Sequence, residues 1–325
     1  MEERGQTIKL RERVLANLAL TVMVLCWGAF FPLLERWLEH WDFYSVTLAR
    51  QVAGAAVLFL GVFAARHKAP LPRPVPWRRI LALGFIGVTV GSLMVSIGVM
   101  ASSGLSSAII STTNPVSSAL TAAIIYRASP AGGVVFGTVL SVVGGLVMVL
   151  GDDAGGRAEF HGGEILMVTS NVAWTWMSIA AQRWLRGFSQ LQITAVTIAA
   201  GAFWLLLLLP AAIALGLVVP RFDFGAESLE LIAFAGLLPI AFANFCWHYG
   251  VSRIGVVVAS MYNNLLPVAA IAVTVWLGGS FTAAQLLGTV IILGGVFTAQ
   301  LLALRRERPA AAVVRPASDG IEPRN

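Results

Sequence analysis

Charged residues are scarce in this 325-residue sequence, and so are the residues that form covalent or metal cross-links. Lys, Arg, Asp and Glu together make up 12% of the chain, which contains two cysteines and four histidines. Two cysteines cannot build a disulfide framework, and no Cys and His spacing is typical of a zinc site, so we expect no metal and no cofactor. Hydrophobic residues reach 58%, and the mean hydropathy is +0.81. This composition predicts an integral membrane protein.

Long apolar runs fill almost the whole chain. A hydrocarbon core of roughly 30 Å takes about 20 apolar residues to cross as a helix. The runs are continuous and do not alternate with polar residues, which favours helices over a membrane barrel. We predict an all-α, polytopic membrane protein with ten transmembrane helices at residues 14–34, 44–65, 80–101, 105–126, 132–151, 163–182, 190–216, 229–250, 255–277 and 284–304.

The basic residues are distributed unevenly between the predicted loops. The formal net charge is +6, but the arginines lie in short connections and form no single basic face, so we expect no nucleic-acid partner. With loops assigned alternately to two sides, 18 of the 22 Lys and Arg residues share one side, Arg50 lies within a span, and the other side receives Arg36, Arg157 and Arg221. Positive charge near span ends resists translocation. We therefore expect a multi-pass protein of the cell inner (plasma) membrane with both termini in the cytoplasm.

Two stretches of the chain resemble each other at a distance of 147 residues. WGAFFPLLERWL, residues 27–38, and WTWMSIAAQRWL, residues 174–185, share Trp, Arg, Trp and Leu at the same places. FGTVLSVVGG at 136–145 likewise resembles LLGTVIILGG at 286–295. Five spans separate the copies, and an odd number forces a duplicated unit to insert upside down. The sequence thus predicts two inverted five-helix repeats.

This repeat sets the predicted organisation of the chain. A Pro- and charge-rich segment follows the last span, and such composition is typical of disorder. The predicted segments are a cytoplasmic N-terminal tail (1–13), the first five-helix repeat (14–151), an outer loop (152–162), the second five-helix repeat (163–304) and a disordered cytoplasmic tail (305–325).

Polar residues recur at helical spacing beside a proline in spans four and nine. Polar groups are costly inside a membrane, and proline frees a backbone carbonyl one turn back, so each stripe is predicted to line a solute pathway at a weakened helix. Pro115 and Pro267 are the predicted gating or kink points. The alternative is that these side chains only join helices by hydrogen bonds. The stripes comprise Ser107, Ser111, Asn114 and Ser118 in span four and Ser260, Tyr262, Asn263 and Asn264 in span nine.

Aromatic and polar residues also cluster in spans one, six and eight. Trp27 and Trp174 occupy equivalent places in the two copies and, with Asn171, are predicted to form walls for a partly apolar solute. The alternative is that these aromatic rings anchor the membrane interface or pack against lipid. Asn244 and His248 are assigned to the same pathway. His248 is predicted near the cytoplasmic end, where it could titrate near neutral pH, and its alternative role is a hydrogen-bonded structural histidine.

Arg50 is the one basic residue inside a predicted span. A membrane-embedded arginine is a functional candidate and can attract an anionic solute. The alternative, which we prefer, is that its side chain snorkels outward toward Asp42 or Glu39. No acidic residue lies near the midplane of a span, so we expect weak or absent proton coupling through a buried carboxylate, with His248 as the remaining proton site.

Several of these features together resemble a known family. They are a Trp late in the first helix of each repeat, an Arg in the second helix, a mid-helix Pro in the fourth helix of each repeat, and the stretch SMYNNLLPVAAIAVTVWLGG at 260–279. Residues 14 to 304 are similar in these respects to the EamA-like branch of the drug/metabolite transporter superfamily. The resemblance implies two inverted repeats, a central solute pathway and movement of small metabolites or toxic compounds, often outward.

One family feature is missing. Members commonly carry a Gly–Glu pair just after the fourth helix of each repeat, where this chain has Tyr126–Arg127 and Gly278–Gly279. Those glutamates lie at helix ends, so their absence bears on the subfamily more than on the fold.

The combined expectation is a secondary transporter that moves a small amino acid-like or other amphipathic solute by alternating access, most simply for export. The alternatives are a membrane scaffold or accessory subunit that does not transport, or a passive channel. We expect no enzymatic activity, because the sequence has no nucleophile elbow, P-loop, metal-binding helix motif or dinucleotide fingerprint. The expected partners are the lipid bilayer and a small-molecule substrate, and the oligomeric state is left open.

Overall fold

The computed structural model describes residues 2–66, 70–101, 107–108, 110–126, 132–150, 162–279, 281–284, 286–291, 293–295 and 298. Helices account for nearly all of them, and no strand occurs among these residues. The helices are α1 (Glu2–Leu38), α2 (Phe43–Ala65), α3 (Trp77–Ala101), α4 (Asn114–Tyr126), α5 (Gly132–Leu150), α6 (Gly163–Trp184), α7 (Gln190–Ala214), α8 (Ala226–Ile254), α9 (Val256–Trp276) and α10 (Leu286–Gly295).

Six of the described helices are long and apolar enough to cross a membrane: α1 from Arg11 onward, α2, α3, α7, α8 and α9. Their outward surfaces carry exposed apolar side chains such as Leu60 and Leu207, as expected of helices that face lipid. The predicted all-helical, polytopic membrane architecture is confirmed at this level. Ten crossings arranged as two inverted repeats stay a prediction.

The helix boundaries differ from the predicted spans mainly at the N-terminus. Helix α1 begins at Glu2 and runs to Leu38, so most of the predicted tail 1–13 continues the first span as helix. The sequence EERGQTIKLRER is rich in good helix formers, which explains why the helix continues beyond the apolar run. The predicted outer loop 152–162, apart from Gly162, and the predicted tail 305–325 lie outside the described residues.

Two departures from regular α-helix geometry each occur twice. A π-helical segment, Gly84–Val90, lies within α3, and another, Gly236–Ala243, lies within α8. A 3₁₀ turn comes before the proline of α4 and another before that of α9, at Ser111–Thr113 and Met261–Leu265. Proline has no N–H to donate to the carbonyl one turn back, which favours these tighter turns at the predicted kinks. The matching irregularities are what duplicated five-helix units would show.

The two halves of the chain pack across each other. Helix α1 of the first half packs against α8 and α9 of the second, and α6 of the second half packs against α3 and α4 of the first. Helix α2 contacts α7 and the π segment of α8, while α7 contacts the π segment of α3. Glycines make the two contacts that involve the π segments. Gly84 of α3 lies against Ala200 and Gly201 of α7, and Gly236 of α8 lies against Ala53 and Gly54 of α2. The absence of a Cβ allows the backbones to approach closely there.

The connection between α1 and α2 contacts the connection between α7 and α8 at one end of the helix bundle. The side chains of Arg36 and Glu227 form an ion pair at 2.6 Å. Asp42 caps the start of α2, where its Oδ1 accepts hydrogen bonds from the amides of Tyr44 and Ser45, and its Oδ2 accepts one from the amide of Arg221. These two connections therefore lie on one side of the bundle, as the predicted topology requires.

Replacing Asp42 with Ala is expected to lower the free energy of unfolding by about 1–2 kcal/mol, the usual effect of losing an N-cap. The loss should be measurable by thermal or denaturant unfolding of the purified protein in detergent. Asp42→Asn is the matched control, because its Oδ1 can still accept from Tyr44 and Ser45 and only the bond from the Arg221 amide is lost. An Ala variant as stable as Asp42→Asn would contradict the capping role.

Candidate functional site

A cavity of about 120 Å³ lies between helices from both halves of the chain. Helices α1, α2 and α3 contribute to its wall, as do α6, α7, α8 and α9, and the 3₁₀ turn and start of α4 complete it. A small solute of amino-acid size is the kind of molecule that such a volume admits.

Aromatic rings form one wall of the cavity. The Trp27 and Trp174 rings meet edge to face with their centroids 5.6 Å apart, and Trp247 packs behind both at 5.8 and 6.4 Å. Trp27 Nε1 donates a hydrogen bond of 3.0 Å to the carbonyl of Pro239, which lies in the π segment of α8. The buried Nε1 of Trp174 has no acceptor in the described structure. This wall can pack against an apolar solute and offers one free N–H.

Arg50 lies in the cavity wall, almost completely buried at 2% exposure. Its Nη2 donates to the carbonyl of Ser92 at 3.0 Å and to Ser96 Oγ at 3.2 Å, and its guanidinium lies 4.8 Å from the centroid of the Phe30 ring. The preferred sequence-based interpretation, that Arg50 snorkels toward Asp42 or Glu39, is wrong. The side chain points to the polar groups of α3, and Asp42 is engaged in capping α2.

Buried amide oxygens without a hydrogen-bond partner in the described part of the chain also occur in residues around this cavity. They belong to Gln51, Asn244 and Asn263, all of which line the cavity. For Asn244 the orientation is fixed, because its Nδ2 donates to the carbonyls of Pro239 and Ile240, which can only accept. Its Oδ1 must therefore remain the acceptor. A solute that carries hydrogen-bond donors would satisfy these oxygens.

The polar stripe of α4 is divided between the cavity and the helix contacts. Asn114 lines the cavity, and its Oδ1 accepts hydrogen bonds from Ser118 Oγ at 3.2 Å and Thr175 Oγ1 at 3.3 Å. Ser118 and Thr175 also contact each other at 2.9 Å, so this group joins α4 to α6. Both sequence-based interpretations thus describe part of the stripe: Asn114 borders the space, and Ser118 holds two helices together.

The structure brings half of the residues singled out from the sequence to one cavity and leaves the other half outside it. His248 is buried behind Trp174, with the two ring centroids 6.4 Å apart, and does not line the space. Pro115 and Pro267 follow the 3₁₀ turns, beyond the lining. The predicted residues that line the cavity are Trp27, Arg50, Ser111, Asn114, Asn171, Trp174, Asn244 and Asn263, and those that do not are Ser107, Ser118, His248, Ser260, Tyr262, Asn264, Pro115 and Pro267.

Four polar or kink-forming lining residues were missed by the sequence-based search: Gln51, Ser92, Ser170 and Pro239. Gln51 could have been found, because it is an uncharged polar residue within span two and directly follows Arg50. Ser92 and Pro239 also lie within predicted spans, but the face that each presents depends on the π segments of α3 and α8, which the sequence does not reveal.

Comparison with known proteins agrees with this architecture. The sequence pattern of the EamA-like transporter family matches the chain twice, at residues 14–150 and 161–300. The uncharacterized transporter YdfC of Bacillus subtilis is 23% identical over 277 residues, which are 85% of this chain and 88% of YdfC. A probable terminal-alkyne amino-acid exporter of Streptantibioticus cattleyicolor is 25% identical over 296 residues, covering 90% of this chain and 96% of its own.

A protein of known crystal structure shares the fold. The two structures superpose with a TM-score of 0.70 at 22% identity, over 90% of this chain and 98% of the other. The family pattern covers more than half of the chain, and the relatives match it over most of their length. This chain belongs to the EamA-like transporter family of the drug/metabolite transporter superfamily.

Proposed function

We propose that this protein is a secondary transporter that carries a small amino acid-like or other amphipathic solute across the cell inner (plasma) membrane by alternating access, in the direction of export. In this proposal the two five-helix halves are inverted repeats, both termini are cytoplasmic, and the pathway runs between the halves. The observation that carries it is the central cavity, which is walled by helices of both halves. Transporters built from repeats bind their solutes at this kind of interface.

The chemistry of the cavity supports a solute that is partly apolar and partly polar. Trp27 and Trp174 offer ring surfaces, whereas Arg50 and the free oxygen of Asn244 offer a charge and an acceptor. The volume of about 120 Å³ admits a solute of amino-acid size. The name of the exporter from Streptantibioticus cattleyicolor, which is similar over 90% of this chain, supports both the solute class and the outward direction.

Sidedness in the proposal rests on charge and on contacts. The excess of Lys and Arg in alternate loops orients the chain. Glu12, near the start of α1, pairs with Arg253, at the end of α8, at 3.1 Å, so these two predicted cytoplasmic segments lie at the same end of the bundle. The ion pair between Arg36 and Glu227 lies at the other end, where the sequence predicts the outside.

Counterflow in proteoliposomes tests the transport mechanism. Vesicles containing the purified protein are preloaded with unlabelled solute, and uptake of the labelled solute is measured across a panel of amino acids, purines, sugars and cationic drugs. An alternating carrier accelerates uptake when solute is present on the opposite side. Uptake that is insensitive to preloading would instead identify a channel, and no uptake of any panel member above that of empty vesicles would favour the scaffold.

Replacing Asn114 and Asn263 together with Ala is expected to reduce counterflow by at least tenfold, because both side chains border the cavity. Asn263→Ala alone is the cleaner variant, since Asn114 also joins α4 to α6 through Ser118 and Thr175. Asn17→Ala, on the exposed face of α1, is the matched control and should transport normally. Full transport by the folded double variant would contradict the assignment of this cavity.

A further inference from the structure

The cavity has a fixed positive charge, and no carboxylate of the described residues pairs with it. Within the described structure, the Arg50 side chain contacts uncharged groups, namely Ser92 O, Ser96 Oγ and the Phe30 ring. Its buried Nε has no acceptor in the described structure. The residues that line the cavity include no Asp or Glu. An arginine side chain stays protonated in proteins, so the lining as described carries one positive charge.

Such a charge sets a strong preference among solutes. A buried cation is stabilised by an anion that brings acceptor oxygens, and a guanidinium with a free N–H pairs well with a carboxylate. A cationic solute would bring a second positive charge into a cavity of about 120 Å³. At separations of about 6 Å in protein surroundings, such repulsion weakens binding by roughly two orders of magnitude.

We infer that the solute carries a carboxylate, that Arg50 binds this group through its guanidinium, and that Arg50 is the residue by which the cavity selects acids over the corresponding amides and amines. The inference rests on the proposed transport function and adds the charge of the substrate to it. The rest of the solute lies against the Trp27 and Trp174 rings. A solute with no negative group would leave the Arg50 cation uncompensated.

Two acid and amide pairs of cavity size test this directly: L-leucine against L-leucinamide, and 4-methylpentanoate against 4-methylpentanamide. Within each pair only the carboxylate is replaced. Binding to the purified full-length protein in lipid nanodiscs is measured by titration calorimetry. In both pairs the acid is expected to bind about 10- to 100-fold more tightly, because hydrogen bonds to charged groups contribute roughly 1.5–3 kcal/mol and 1.4 kcal/mol corresponds to tenfold.

Substitutions then show whether Arg50 causes the preference. Arg50→Gln should reduce the acid-to-amide ratio to about one, and Arg50→Lys, which retains the charge but offers no guanidinium, should keep part of it. Arg253→Gln is the matched control, because it removes one positive charge from an exposed ion pair with Glu12 and should leave the ratio unchanged. If Arg50→Gln does not fold, the ratios of the unmodified protein and of Arg50→Lys still test the inference.

The inference is overturned if neither acid binds more tightly than its amide in the unmodified protein, including the case in which none of the four compounds binds. It is also overturned if folded Arg50→Gln keeps the full ratio. Counterflow separates these failures from failure of the transport proposal. Trans-stimulated uptake of a neutral or cationic panel member would retain the carrier and refute its preference for acids, whereas no trans-stimulated uptake of any member would refute the carrier itself.

Discussion

Trp247→Ala is expected to lower the free energy of unfolding by about 3–5 kcal/mol, the range observed when a large buried aromatic side chain is truncated. Trp247 is completely buried, and its ring packs against Trp27 and Trp174 at centroid distances of 5.8 and 6.4 Å. Its Nε1 donates a hydrogen bond of 2.8 Å to Ser178 Oγ. The substitution therefore removes the support behind the aromatic wall and a contact between α8 and α6 at the same time.

Trp276→Ala is the control for this experiment. Trp276 lies at the end of α9 and is 80% exposed, so its removal should change the free energy of unfolding by no more than about 0.5 kcal/mol. Both variants are compared by thermal or denaturant unfolding in the same detergent. If Trp247→Ala is as stable as Trp276→Ala, then the packing described for the centre of the bundle is wrong.

Gly84→Val and Gly236→Val should each destabilise the protein by about 3 kcal/mol, at the upper end of the usual cost of overpacking. A Cβ at position 84 would lie 2.7 Å from the backbone C of Ala200 and N of Gly201, and one at position 236 would lie 2.5 Å from Ala53 Cβ and 3.1 Å from the Ala53 carbonyl carbon. Backbone atoms of a neighbouring helix cannot move aside as a flexible side chain can. The helices would have to separate, opening the contacts of α3 with α7 and of α8 with α2.

Gly294→Val provides the comparison, because a Cβ there would meet nothing within 4 Å. The measured quantities are the yield of monodisperse protein after extraction and the midpoint of thermal unfolding. The two central variants should behave alike, since each of these glycines begins a π segment and lies against the backbone of a neighbouring helix. Unfolding midpoints for Gly84→Val and Gly236→Val equal to that of Gly294→Val would show that these helices do not approach as closely as described.

The membrane architecture and the family were predictable because both depend on composition and on short matching patterns. Long apolar runs fix helices in lipid regardless of detail. Trp27 and Trp174 were found by matching one half of the sequence to the other, and the structure places their rings in contact. Asn114 and Asn263 were found because each lies beside a helix-weakening proline, and both border the cavity.

The direction of individual side chains could not be predicted in the same way. The Arg50 side chain is long enough to extend toward acidic residues about two helical turns earlier in the chain or toward polar groups of α3. Its actual direction is decided by the packing of α2 on α3. His248 was placed near the end of a span by counting residues, but α8 continues to Ile254, and Trp174 of α6 packs against the His248 ring. Such choices depend on long-range contacts, which neither periodicity nor polarity encodes.

The π segments of α3 and α8 contain wide turns, and these turns set the direction in which the side chains later in each helix point. A turn closed by bonds from i to i+5 holds one residue more than an α-helical turn, and each residue corresponds to about 100° of rotation. Ser92 and Ser96 follow the first wide segment, and Asn244 and Trp247 follow the second. If either segment shortened by one residue and became regular α-helix, these side chains would swing about a quarter-turn away, and Arg50 or the tryptophan wall would face a different surface. The polar and aromatic lining of the cavity is therefore a matter of helical phase as much as of residue identity.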